Sequence, residues 1–153
     1  MRTRALGVVL ALLAGGAVLW LWPRNPGSPE EQIRALFARC VRAAEERKLE
    51  VISDSMVPEF KAHGATKDEV RQMLAYQLLR DRETVAVLNP SLDVSLEGDS
   101  AGKVVAELVF ARTRDKPADQ LAPESVVAAY HLEARVERRE GKWLFVSAEY
   151  RQR

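Results

Sequence analysis

The chain is poor in the residues that most often carry chemistry. A single cysteine, Cys40, in 153 residues excludes a disulfide framework. Only two histidines are present, His63 and His131, far apart in the chain, and with one cysteine they make no metal-ligand spacing. The eight glycines are scattered, with no phosphate-cradling loop among them, and no Ser or Cys stands in a nucleophile motif. No cofactor is implied. An excess of charge of one sign is missing too. Lys and Arg number 23 against 22 Asp and Glu, a formal net charge of +1, which argues against a nucleic-acid partner. The basic clusters Arg112-Thr113-Arg114 and Arg138-Arg139 are both flanked by acids. A disordered chain is excluded by a hydrophobic content of 47%.

What is present divides into two unlike parts. Residues 1–27 hold Arg2, Arg4 and Arg24 and no acid, so their charge is positive, while the rest of the chain is slightly acidic. Ala5 to Trp22 runs without charge or proline. As a helix it would extend about 27 Å, enough to cross most of a bilayer core of about 30 Å. Trp20 and Trp22 would lie at the membrane–water boundary, and Pro23 would end the helix. A cleaved signal is the competing reading, but its small-x-small site, Gly15-Gly16-Ala17, would leave an apolar new terminus from Val18 to Trp22. Lipidation is excluded because Gly16 stands where a cysteine would be required. Gly7, Ala11 and Gly15 recur every fourth residue, so another helix could approach that face closely. Arg2, Arg4 and the terminal amine outweigh Arg24, so the positive-inside rule leaves residues 1–4 in the cytoplasm. The expectation is a single-pass protein of a bacterial inner membrane: tail 1–4, anchor 5–22, linker 23–27, and a periplasmic domain 28–153.

That domain reads as helices followed by strands. Ser28-Pro29-Glu30-Glu31 is a capping box with proline at the first helical position, and Ile33, Leu36, Phe37, Cys40, Val41 and Ala44 follow at helical spacing. A short second helix is predicted from Leu49 to Ser55. Thr66-Lys67-Asp68-Glu69 is another capping box and opens a third helix carrying Val70, Met73, Leu74, Gln77 and Leu78. Beyond Arg80 the period becomes two. Strands are predicted from Thr84 to Leu88, interrupted at Asn89-Pro90, then through Leu92–Leu96, Val104–Phe110, Val126–Arg138 and Lys142–Tyr150. The fold class is α+β, with about three helices on a curved antiparallel sheet of four to six strands.

The last hairpin has a register that pattern alone can test. A three-residue loop with Gly141 left-handed places Tyr130, Leu132, Ala134 and Val136 on one face with Leu144, Val146, Ala148 and Tyr150. His131, Trp143 and Phe145 then fall on the opposite, charged face. Two aromatic rings among charges call for a cover, either a second copy of the domain or the Arg112–Glu124 loop.

Three helices and a curved sheet, the phrase Ala43-Ala44-Glu45-Glu46-Arg47-Lys48-Leu49-Glu50-Val51-Ile52, and the closing Arg138-Arg139-Glu140-Gly141-Lys142-Trp143-Leu144-Phe145 resemble the nuclear transport factor 2-like superfamily. The resemblance covers residues 28–153. It implies a cone-shaped domain with a pocket, whose wall candidates are Phe37, Phe60, Met73, Tyr76 and Tyr130, and an outer sheet face that dimerises. One departure stands out: the short hairpin usual between the second and third helices is hard to see, because Met56–Gly64 has little alternation.

The superfamily holds isomerases and dehydratases as well as binding and assembly domains, so fold alone does not choose. An enzyme would need a base and a proton donor in one pocket, drawn from Asp54, His63, Tyr76, Asp93, Tyr130 and His131, and none of these falls in a catalytic motif. The leading expectation is therefore a non-enzymatic, membrane-anchored domain that binds an envelope protein partner or a small hydrophobic ligand. A pocket isomerase or dehydratase is the alternative. A short tail, one span and this type of domain also resemble, in architecture, the inner-membrane scaffold subunit of type IV secretion systems.

Overall fold

The structure is a computed structural model that describes residues 27–80, 84–113 and 126–153. The expected tail, the anchor Ala5–Trp22, most of the linker and most of the Arg112–Glu124 loop lie outside those residues. Among the described residues no helix is long and apolar enough to cross a membrane.

Helix α1, Pro29–Glu45, begins at the predicted capping box: Glu31 N–H donates to Ser28 Oγ at 3.2 Å and Ser28 N–H to Glu31 Oε2 at 3.0 Å. These bonds satisfy donors that a helix start otherwise leaves open. Its C-terminus closes through Arg47 in the left-handed region (φ 58°), with Lys48 N–H donating to Ala43 O at 2.8 Å. Helix α2, Leu49–Asp54, follows at once. Next come strands β1, Met56–Ala62, and β2, Ala65–Thr66, the hairpin that the sequence hides. Its alternation is lost because β1 slips against its partner between Met56 and Lys61, the stretch that holds Pro58. Helix α3, Lys67–Arg80, starts at the second capping box, where Thr66 N–H donates to Glu69 Oε2 at 2.7 Å.

Four long strands complete the domain: β3, Thr84–Leu96; β4, Ala101–Thr113; β5, Val126–Arg139; and β6, Lys142–Gln152. The sheet order is β2-β1-β6-β5-β4-β3. Every pairing is antiparallel except β1 with β6, which is parallel and departs from the fully antiparallel sheet expected. Instead of breaking at Asn89-Pro90, β3 continues through an irregularity between Leu88 and Ser91. An added residue there shifts the facing pattern, so Val87 pairs with Phe110 and Leu92 with Ala106 on the same side of the sheet.

The register of the last hairpin is corrected. Glu140 (φ 51°) and Gly141 (φ 78°) are both left-handed and make a two-residue turn, not a three-residue loop. A bulge then leaves Val146 without an opposite partner: Arg135 pairs with Ser147 and Val136 with Phe145. On the far side of the bulge, Leu132 faces Tyr150 and Ala134 faces Ala148, as the three-residue loop would have required. On the near side the parity is reversed, and Trp143 and Phe145 turn inward, 5% and 8% exposed.

The concave face of the sheet holds α1. Ile33, Leu36 and Phe37 pack with Val104, Ala106, Val136 and Trp143 in one apolar cluster. Helix α1 also guards the open edge of the sheet, since Arg34 donates to Leu92 O at 2.9 Å and Glu45 accepts from Val87 N–H at 3.0 Å. Backbone groups of an edge strand are thereby taken out of reach of other chains. Close packing reaches its limit at Gly102, where a Cβ would sit 3.1 Å from Ser95 O, 3.2 Å from Ile33 Cδ1 and 3.4 Å from Val136 Cγ2. Gly102→Ala is expected to destabilise the domain by about 1–3 kcal/mol, since a paired backbone carbonyl cannot move aside. With Ile33→Val added, the combined loss in urea denaturation should fall short of the sum of the two single losses.

Candidate functional site

The elements that build the core also leave a space in it. A cavity of about 270 Å³ lies between α1, α3 and the concave sheet. Small side chains make the room: Ala134 and Ala148 are opposite each other on β5 and β6, and both line it. Phe37, Phe60, Met73 and Tyr130 of the expected wall residues line the cavity. Tyr76 does not; it is 62% exposed on α3. Residues outside the expected wall also line it, among them Cys40, Gln77, Phe110, Phe145 and Tyr150. Cys40 and Gln77 were visible as members of the helical stripes. Phe145 was hidden by the bulge at Val146.

Tyr130 lies between two other rings, edge-on to Phe110 at 5.7 Å and to Tyr150 at 6.0 Å. Tyr150 in turn meets His63 edge-on at 4.7 Å. His63 is left-handed in the β1–β2 turn, and its Nε2 lies 2.9 Å from Tyr150 N and 2.7 Å from Tyr150 O. The imidazole thus serves the backbone of β6 beyond the Ala62–Ala148 pair, outside the cavity wall.

The fold recurs in solved structures. A Nostoc punctiforme protein of unknown function with a cystatin-like fold superposes with a TM-score of 0.64 at 12% identity, over 80% of this chain and 89% of its own. A Pseudomonas putida protein of unknown function, described as NTF2-like, gives 0.63 at 15% identity over 79% and 84%. The fold is cystatin-like and nuclear transport factor 2-like. A third structure of that fold, from Catenulispora acidiphila in complex with S-DNPA, gives 0.59 at 20% identity over 78% and 91%. No family model and no curated protein matches the chain. At such identities the likeness carries the fold and leaves the activity open.

Among the described residues of this nuclear transport factor 2-like fold, the candidate carboxyl and imidazole groups lie away from the cavity. Asp54 lies by an outer depression also bordered by Arg39 and Lys142. Asp93 is exposed on β3. His131 is on the outer face of the sheet, with Nδ1 2.8 Å from Glu107 Oε1 and Nε2 3.5 Å from Glu133 Oε1. Arg153 reaches Glu107 at 3.1 Å and Lys103 reaches Glu133 at 2.7 Å. The ammonium of Lys103 holds the Glu133 carboxyl below the usual carboxylate range. The other two residues assigned to that face are corrected. Trp143 and Phe145 belong to the core, and the Trp143 indole donates to Gln32 Oε1 at 3.1 Å. Among the described residues no group of His, Cys, Asp and Glu could hold a metal ion.

The Cys40 thiol does line the cavity, together with the phenols of Tyr130 and Tyr150. Burial pushes the Cys40 thiol up from its ordinary value, against the opposing effects of its hydrogen bond with Ser55 and the nearby Arg39. Such a thiol keeps its proton in neutral solution and is a poor nucleophile. Above the ordinary thiol value the folded chain retains a proton that the unfolded chain has released. Stability is therefore unaffected by this group below that pH and falls as the pH rises towards the folded value. Urea midpoints measured from neutral to strongly alkaline pH should decline less in Cys40→Ala than in the native chain.

Proposed function

We propose that this protein binds a small apolar molecule in the cavity of its nuclear transport factor 2-like domain, without chemical turnover. One observation carries the reading: among the described residues, the cavity wall has no Asp, Glu, His, Lys or Arg. An isomerase or dehydratase needs a positioned base beside a proton donor. The hydroxyls of Tyr130 and Tyr150 offer donors, but among the described residues no base lines the cavity with them. Concave, mostly apolar pockets with a few polar groups are the common form of a small-molecule site. The complex of the Catenulispora acidiphila protein with S-DNPA is consistent with a ligand-binding use of this fold.

Cys40 supplies the test, because it is the only thiol in the chain and lines the cavity. A panel of small apolar molecules is applied to the full-length chain while Cys40 alkylation is followed by mass spectrometry. Saturable protection by any member is the expected result. Protection by none, or turnover of a panel member that is abolished when the cavity is filled, would end the binding reading.

The proposal places the domain on the outer side of a bacterial inner membrane, held by Ala5–Trp22. Its support is the sequence: an uncharged stretch of spanning length, with Arg2 and Arg4 before it and a proline after it. The mature protein should then retain Met1 or Arg2 by mass spectrometry. A terminus beyond Ala17 would identify a removed signal instead.

A further inference from the structure

We infer that the occupant of the cavity is an uncharged molecule of about ten carbon atoms with a single polar oxygen at one end, a scale set by the roughly 150 Å³ cavities that take up benzene. The inference rests on the binding reading above and adds the ligand's size, charge and polar end.

Size follows from the same comparison. A dry cavity of about 150 Å³ accepts a six-carbon ring. The 270 Å³ of this partly open cavity is larger in the proportion that four or five further carbons require. Charge follows from the wall. Apart from thioethers, its polar side chains among the described residues are those of Cys40, Gln77, Tyr130 and Tyr150, with no carboxylate, imidazole, ammonium or guanidinium among them. Among the described residues neither an ammonium nor a guanidinium lines the cavity to pair a carboxylate, and an unpaired ion is far more costly to bury than a neutral polar group. A fatty acid anion would therefore be discriminated against where the corresponding alcohol is not.

The polar end follows from the tyrosines. Both rings are half-buried, they meet edge-on at 6.0 Å, and among the described residues neither hydroxyl has a hydrogen-bond partner. Gln77, exposed on α3, lines the same space. Phe37, Phe60 and Ala134 are almost fully buried and supply the apolar end. A molecule lying along that gradient puts its carbons against the buried rings and its oxygen beside the tyrosine hydroxyls. An alcohol or ketone oxygen accepts from a phenol, and an apolar body beside such a polar tip is the pairing this wall offers.

The test uses the full-length chain in phospholipid nanodiscs, with Cys40 alkylation by N-ethylmaleimide read by mass spectrometry. Decan-1-ol, decanoate and hexadecan-1-ol are compared at known free concentrations, at about pH 8, where decanoate is ionised. Decan-1-ol is expected to slow alkylation saturably by about tenfold or more, as bound ligand restricts the open state, and decanoate by less than about twofold. Hexadecan-1-ol should protect no better than decan-1-ol. Equal or better protection by decanoate would overturn the assignment of charge, and tighter protection by hexadecan-1-ol that of size. In the double variant Tyr130→Phe with Tyr150→Phe, decan-1-ol should weaken about fivefold while decane is unchanged, which is the scale of one lost hydrogen bond. An equal loss for both probes would overturn the polar-end assignment. Absence of protection by every probe, decane included, would instead end the binding reading on which the inference rests.

Discussion

Trp143→Ala is expected to lower the stability of residues 28–153 by about 3–5 kcal/mol in urea denaturation, the cost of truncating a large buried aromatic. The indole is 5% exposed and packs in the cluster that contains Ile33, Phe37, Val136 and Phe145. Its N–H also donates to Gln32 Oε1 on α1, so the truncation removes a link between β6 and that helix. Trp143→Phe separates the two effects: it keeps most of the apolar surface and should cost about 1 kcal/mol for the lost hydrogen bond, plus a smaller packing term. Trp143→Glu should leave the domain largely unfolded, because a buried unpaired carboxylate costs a large share of a total stability of about 5–15 kcal/mol. Had the ring lain on the outer face, the same substitution would have changed only the state of association. A folded monomer carrying Glu at this position would contradict the inward register.

The sequence carried most of this fold through local signals. Both capping boxes are legible because their chemistry lies within four residues, Ser28 with Glu31 and Thr66 with Glu69. Helix α1 is legible because its buried residues recur at helical spacing. Bulges defeated the rest. Alternation assigns a face only while strands stay in step, and β6 loses step at Val146, β3 at Asn89-Pro90 and β1 before Lys61. Each slip exchanges inside for outside over several residues. Trp143 and Phe145 were misplaced for this reason, whereas Leu132, Ala134, Ala148 and Tyr150, beyond the same bulge, were not. The cavity wall was partly legible, since Phe37 and Met73 belong to helical stripes and Tyr130 to the alternating stretch of β5. Its lack of charge was not, because which of Asp54, His63 and Asp93 faces inward is decided by tertiary packing alone.

Ala134→Leu tests the cavity directly and is expected to have opposite effects on stability and on binding. Ala134 is 4% exposed, opposite Ala148, and lines the cavity. A larger side chain at a close-packed position forces its neighbours apart and costs about 1–3 kcal/mol. At the edge of a void it finds room and gains contacts, and a cavity-filling change of this kind commonly adds about 0.5–2 kcal/mol. The urea midpoint should therefore rise. The carbons added by Leu occupy the space that a ligand would need within 270 Å³. Protection of Cys40 by apolar molecules should accordingly weaken by about tenfold or more, the loss expected when a bound group must be displaced from a filled pocket. A fall in stability with protection intact would mean that the space at Ala134 is already packed and that ligands enter elsewhere. A rise in stability with lost protection would tie the unfilled volume, and the small side chains that create it, to binding. Stability forgone by leaving this cavity unfilled is then the quantity that ligand binding restores, since a molecule bound only by the folded state stabilises it in proportion to the logarithm of its occupancy.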